Sequence, residues 1–244
     1  MKMLFKDSLK LCSIIFIFAV ILTSIVNNLH LDITVATWAY DSSSSFARFI
    51  RDDTMNPIIV LSLIFLTSAI AIKKYDINFG NVKTFRQVCL VWVAVVLLGS
   101  ALIVNGILKP FVERPRPKDT IILQGDYEFR KPIEVIGTTG GMKSFPSGHA
   151  SMGFLFLAPF FLLYLKRHYK LSATFLGLGL TFGCIIGYGR IVIGAHFLTD
   201  VIWSGTIMSI LSILCAHWVL AKTEDNKQLF KSRKNMANLT LKNA

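Results

Sequence analysis

The sequence predicts an all-α, polytopic membrane protein: a bundle of six transmembrane helices with an active-site loop on its outer side. Three observations carry that expectation. Of the 244 residues, 53% are hydrophobic and 16% charged, against roughly 45–50% and about 25% in soluble domains. Six separated runs approach the roughly 20 apolar residues that a spanning helix needs. The net charge of +12 falls in segments that an even number of crossings places on one side.

The runs cover 8–27, 56–72, 88–108, 150–165, 171–188 and 198–220. Lys2, Lys6 and Lys10 precede the first, which has a signal-like look, but "LTSIVNNLH" offers no small-residue cleavage site, so it reads as a retained anchor. In the loop 28–55, "LDITVATWAY" and "SFARFIRD" fit a short interfacial helix with Trp38 and Tyr40 at headgroup level, an ordinary cover over the bundle. The third and fourth runs are joined by 109–149, a length that marks a functional loop. Within it, "GTTGG" at 137–141 reads as a flexible connector. The fourth run is the shortest. Residues 1–221 thus form one six-helix domain, and the polar, lysine-rich 222–244 a solvated, frayed cytoplasmic tail. Cys12, Cys89, Cys184 and Cys215 all lie inside apolar runs, which predicts no disulfides.

Charge sets the orientation. The terminus-side segments hold 16 of the 26 Lys and Arg but only 4 of the 14 Asp and Glu, so the whole surplus lies there. The positive-inside rule makes that side cytoplasmic and predicts an inner-membrane protein whose active site faces the periplasm or exterior. The basic residues are scattered through short juxtamembrane segments, which topology and anionic headgroups explain without nucleic acid. No zinc-like ligand spacing occurs, and Asp119, Asp126 and Glu128 are too loosely arranged for a metal centre, so neither metal nor other cofactor is expected.

The unusual polar residues sit at the ends of these spans. Lys109 ends the third and Arg116 follows in "KPFVERPRP". Ser147, Gly148 and His149 open the fourth, Arg190 ends the fifth, and His196 and Asp200 begin the sixth. Counting crossings places all eight positions at one bilayer face. Ionisable groups gathered there are costly and point to function. The chemistry they suggest is phosphoryl transfer. Lys109, Arg116 and Arg190 would neutralise phosphate oxygens, guanidinium forks matching them bidentately. Ser147 is a natural N-cap, and Gly148 lets backbone N–H groups approach an anion at the helix N-terminus. His196 and Asp200, four apart, share a helix face, so the carboxylate would orient the imidazole as nucleophile. His149 would be the general acid. His30, His168 and His217 read as capping or interfacial residues, and Glu113 and Arg114 as interfacial anchors, with a second-phosphate role for Arg114 as the alternative outside the core site.

Three stretches resemble a known family. K-x6-RP from Lys109 to Pro117, PSGH from Pro146 to His149, and R-x5-H-x3-D from Arg190 to Asp200 are similar, in order and spacing, to the signature of the type-2 phosphatidic acid phosphatase superfamily. The resemblance implies the roles just given and metal-independent hydrolysis through a phosphohistidine. One departure stands out: the third motif usually begins Ser-Arg, and here Gly189 takes the serine's place. A hydroxyl that would bond the phosphate or brace Arg190 is thus missing.

The site's depth in the bilayer predicts a phosphorylated lipid as substrate, and the resemblance implies undecaprenyl pyrophosphate, phosphatidylglycerol phosphate, phosphatidic acid or a phosphate of lipid A, the first two ranked ahead and lipid A close behind. A lipid phosphotransferase would use the same phosphohistidine. A transporter would need ionisable groups at mid-span, where the runs have almost none. A soluble haloperoxidase relative is at odds with six spans.

Overall fold

The computed structural model describes the backbone of residues 2–77, 80–134 and 142–242, with side chains from Phe5 to Lys222 within those ranges except at position 133. "GTTGG" therefore lies outside the described residues. Ten α-helices follow in order: α1 (Lys2–Asn28), α2 (Leu31–Ala39), α3 (Ser45–Asp52), α4 (Met55–Lys74), α5 (Val82–Val95), α6 (Lys109–Phe111), α7 (Gly148–Phe154), α8 (Ala158–Leu165), α9 (Tyr169–Val192) and α10 (Leu198–Lys242).

Among the described residues, six stretches are long and apolar enough to cross a membrane: Phe5–Asn28, Ser45–Lys74, Val82–Phe111, Gly148–Leu165, Tyr169–Val192 and Leu198–Lys222. Their number and order match the sequence expectation. The second begins eleven residues earlier than the apolar run, because α3 leads into α4 across Asp53 and Thr54. The loop predicted to hold one short helix holds two, α2 and α3, split where His30 (φ 51°) starts α2 and the Ser44 hydroxyl accepts from Ala47 N to cap α3. Trp38 is 78% exposed, as an interfacial anchor would be. The last helix runs on through the predicted tail to Lys242. Five Lys and three Leu in 222–244 are good helix formers and support that continuation.

The shortest span is the centre of the bundle, with 72% of its residues buried against 11–28% for the first, second and fifth. Leu155, Leu162 and Leu163 on it are fully buried, packed in one core with Trp92, Val95 and Met208. Its backbone changes pitch midway, where Pro159, lacking an N–H, follows a single 3₁₀ turn at Leu155–Leu157. Trp92 and Trp203 each donate their indole N–H, to Ser62 and Thr23 hydroxyls at 2.9 and 3.0 Å, so neither the buried nor the half-buried ring leaves an orphan donor. Ile17, Phe18 and Leu63 face outward, as lipid contact requires.

The third span ends in a π-helical segment, Val96–Leu108, in which Lys109 N bonds back to Val104 O. Such widened turns cluster at functional sites. Here the Asn105 amide donates to Ser100 O at 2.6 Å, and Lys109 emerges at the helix end.

Candidate active site

Asp200 is fully buried at the first turn of α10, and its carboxylate is held on both oxygens. Oδ2 accepts from the Ser144 hydroxyl at 2.6 Å and from Phe197 N at 2.8 Å, while Oδ1 accepts from Arg114 Nη1. The remaining approach to Oδ2 belongs to His196, whose Nδ1 lies 3.6 Å away. That is beyond hydrogen-bond length, and His196 Nδ1 is buried without a hydrogen-bond partner among the described residues. Burial pushes the His196 imidazole down to about 4, against the upward pull of Asp200. Neutral, with Nδ1 toward Asp200, the ring leaves Nε2 on its opposite edge.

The sequence-predicted cations gather around it. Lys109 Nζ donates to Asn105 Oδ1 at 3.1 Å. A Cβ placed on Gly148 would fall 2.7 Å from that Oδ1 and 3.1 Å from Lys109 Nζ, so any side chain here would push both groups out of their present places. Lys109, Arg116 and Arg190 lie near enough to repel one another, and both Lys109 and Arg190 act electrostatically on His149 and His196. Arg190 is buried, yet its Nε and Nη1 have no hydrogen-bond partner among the described residues. Buried charged donors left unspent are expensive, and an anion between these cations would satisfy them.

One predicted phosphate donor, Ser147, is partly committed. Ser147 N donates to Asp200 O at 3.3 Å, and the Ser147 side chain caps α7 by accepting from Ala150 N at 3.3 Å. Ser147's hydroxyl proton and the first-turn N–H of Gly148 remain outside the intrahelical pattern. His149 Nε2 meets the Arg51 carbonyl at 3.3 Å, which makes that nitrogen the donor in a long bond. The two histidines interact electrostatically with each other.

Gly189 has a steric reason. A Cβ there would lie 2.7 Å from Ile50 Cγ1 and 2.9 Å from its Cβ and Cγ2, so α3 rests directly on the α9 backbone beside Arg190. The usual serine has no room.

Sequence reasoning missed three residues. Arg114, read as an interfacial anchor, is 0% exposed and pairs with Asp200 and with Asp32 at 2.8 Å. Asp32, on a helix read as a cover, accepts from Thr199 N at 2.9 Å and Thr199 Oγ1 at 2.6 Å. Ser144, in the stretch leading to the PSGH motif, holds Asp200 as described. A lone Asp inside "LDITVATWAY" was the one available signal, since a charge in an apolar helix asks for a partner.

A family model for the PAP2 superfamily matches residues 90–224. The chain is 32% identical over 167 residues to a lipid A 4'-phosphatase of Francisella tularensis subsp. novicida (strain U112), a match covering 68% of each chain. It is 31% identical over 121 residues to a lipid A 4'-phosphatase of Rhizobium leguminosarum, covering 48% of this chain and 50% of that one. Its fold matches the crystal structure of a transmembrane PAP2 type phosphatidylglycerolphosphate phosphatase from Bacillus subtilis with a TM-score of 0.51 at 19% identity, across 88% of this chain and 96% of that one.

Proposed function

We propose, from the premise that the chain belongs to the PAP2 superfamily, that it is an integral-membrane phosphatase that removes a phosphate from lipid A by way of a phosphohistidine. The observation that carries the reading is the buried Arg190 guanidinium with Nε and Nη1 unspent, beside a buried neutral imidazole held near a carboxylate. The choice among lipid phosphates follows the two relatives, both lipid A 4'-phosphatases.

In this mechanism Arg190, Arg116 and Lys109 take the phosphate's non-bridging oxygens, with the Ser147 hydroxyl and Gly148 N–H completing the cradle. His196 Nε2 attacks phosphorus in line, forming an N–P bond as the P–O bond to the sugar breaks. His149 gives its proton to the leaving oxygen, exchanging its long bond to Arg51 for that task. Asp200 accepts from Nδ1–H and stabilises the positive charge that grows on the ring. Water then attacks the phosphohistidine, His149 takes the water's proton, and inorganic phosphate leaves. Three side-chain cations supply the charge neutralisation, so the reaction proceeds without a metal.

The lipid chains belong in the apolar cavity of about 350 Å³ between α3, α4 and α9. Ile50 both lines it and lies against Gly189, the residue before Arg190. Charge placement puts the termini in the cytoplasm and the site in the outer leaflet of the inner membrane.

The test is phosphate release by purified protein in detergent from lipid A, phosphatidylglycerol phosphate, phosphatidic acid and undecaprenyl pyrophosphate. Lipid A should be the preferred substrate and lose one phosphate to water, EDTA should leave the rate unchanged, and His196→Ala should abolish it. Activity surviving in His196→Ala ends the covalent mechanism. Transfer of the phosphate to a second lipid rather than to water makes the protein a phosphotransferase.

A further inference from the structure

Asp32, Arg114 and Asp200 form a buried chain of charges reaching from the first loop helix to the nucleophile. Asp32 belongs to none of the three signature stretches. Its Oδ2 accepts from Arg114 Nη2 at 2.8 Å and from Thr199 Oγ1 at 2.6 Å, and its Oδ1 accepts from Thr199 N at 2.9 Å. It therefore caps the N-terminus of α10 from another element, where a carboxylate is favoured. Arg114 spends its donors on Asp32, Asp200, the Thr199 hydroxyl at 2.8 Å and Arg130 O at 2.9 Å. Its guanidinium stacks over Phe197, 4.2 Å from the ring centroid, and its own carbonyl accepts from Ser144 N at 3.0 Å.

Two carboxylates and one guanidinium at 0–2% exposure are a poor way to gain stability, since desolvation offsets most of their attraction. Such networks do fix a geometry. Here the geometry fixed is that of Asp200: with Oδ1 taken by Arg114, the carboxylate cannot rotate, and Oδ2 stays turned toward His196 Nδ1.

We propose that Asp32 and Arg114 are positioning residues for phosphoryl transfer, a buried clamp that ties α2 to the N-terminus of α10 and holds Asp200 in the one orientation that serves His196. The proposal rests on the assignment of His196 and Asp200 in the preceding section. Asp32 acts only through Asp200, so its effect should vanish once Asp200 cannot act.

The experiment is a double-mutant cycle on the full-length protein in detergent, with Asp32→Asn, Asp200→Asn and the pair. Steady-state phosphate release is one readout. The other is the affinity for vanadate, which takes the five-coordinate geometry of the transferring phosphoryl group and needs no turnover. Asp32→Asn alone should lower kcat by about tenfold to a hundredfold, the range of coupled neighbours, with KM within about twofold. Vanadate binding should weaken in parallel. In the Asp200→Asn background the same change should produce no further loss in either readout. An equal loss in both backgrounds would show a merely structural role, and an unchanged kcat in Asp32→Asn would likewise overturn the clamp. If Asp32→Asn fails to fold, as judged by size exclusion and thermal unfolding, Thr199→Val replaces it in the cycle. That variant keeps the shape and cuts only the hydroxyl bridge between Asp32 and Arg114, and the same criteria apply. Should His196→Ala keep its activity, the catalytic assignment itself fails. Should His196→Ala be dead while Asp32→Asn is normal, only the clamp fails.

Discussion

Replacing Gly189 by the serine usual at that place should damage this enzyme, and the structure says by how much. The new Cβ would sit 2.7 Å from Ile50 Cγ1 and 2.9 Å from its Cβ and Cγ2, where carbons prefer about 3.5–4.0 Å. A rotamer change cannot move the Ile50 Cβ, so α3 must withdraw by about 1 Å to restore that spacing. Overpacking of this kind costs about 1–3 kcal/mol. Arg51 follows Ile50 directly, and its carbonyl is already 3.3 Å from His149 Nε2, so the same withdrawal breaks that contact. Gly189→Ser should thus lower both thermal stability in detergent and the initial rate of phosphate release at saturating substrate. Ile50→Ala removes two of the three clashing atoms. The double variant should therefore be less destabilised than the sum of the singles, by about 1 kcal/mol or more. Strict additivity, or a Gly189→Ser protein with unchanged stability and rate, would refute the packing explanation.

Other expectations follow from the same geometry. Arg190→Lys keeps the charge but loses the fork whose Nε and Nη1 are unspent, and kcat should fall about 10²–10³-fold in the phosphate-release assay. Ser144→Ala removes the 2.6 Å bond to Asp200 Oδ2; a bond to a charged group contributes about 1.5–3 kcal/mol, so kcat should drop at least about tenfold with KM little changed. The acid limb of kcat/KM, corrected for ionisation of the substrate, should lie near pH 4, because the nucleophile is active when neutral and burial lowers His196 from 6.5 to about 4. The unfolded chain takes up that proton near pH 6.5 and the folded chain only near 4, so this histidine also makes the fold less stable as pH falls through that window. A limb at 6.5 would show a solvated ring.

What could be read from the sequence were properties local to a segment or forced by topology. Six apolar runs are visible because each must satisfy the bilayer by itself. Ser147 announces an N-cap because the bond it makes, to Ala150 N, spans three residues. Lys109, His149, Arg190 and His196 could be placed at one face by counting crossings, with no knowledge of how helices pack. The clamp obeys neither condition. Asp32 meets Arg114 across 82 residues and Thr199 across 167, and Arg114 meets Asp200 across 86. No periodicity encodes such pairs. Taken singly, an Asp at the start of a loop helix and an Arg beside a proline are what any membrane interface displays. Only the packing of α2 over the start of α10 turns two anchors into a buried ion pair. The meaning of Gly189 was hidden for the same reason, since the absence of a hydroxyl is local but the arrival of Ile50 from α3 is not.

The two halves of the site are built on opposite electrostatic principles, and that contrast explains how one pocket both seizes a phosphate and attacks it. Around Asp200 both carboxylate oxygens are engaged: Arg114 holds Oδ1, Ser144 and Phe197 N hold Oδ2, and Asp32 holds Arg114. A saturated network does not reorganise, so it can orient a ring. On the other side Arg190 has unspent donors, Lys109 and Arg116 repel it, and no carboxylate forms an ion pair with Arg190 among the described residues. An unsaturated cluster of like charges gains most from an incoming anion, and gains more as charge builds on the transferring oxygens. His196 stands at the boundary, its Nδ1 turned to the finished side while Arg190 and Lys109 act on the ring electrostatically from the other group. The 3.6 Å gap to Asp200 is then the part of the site that substrate itself must close: positive charge growing on the ring draws Nδ1–H onto the one carboxylate that cannot retreat.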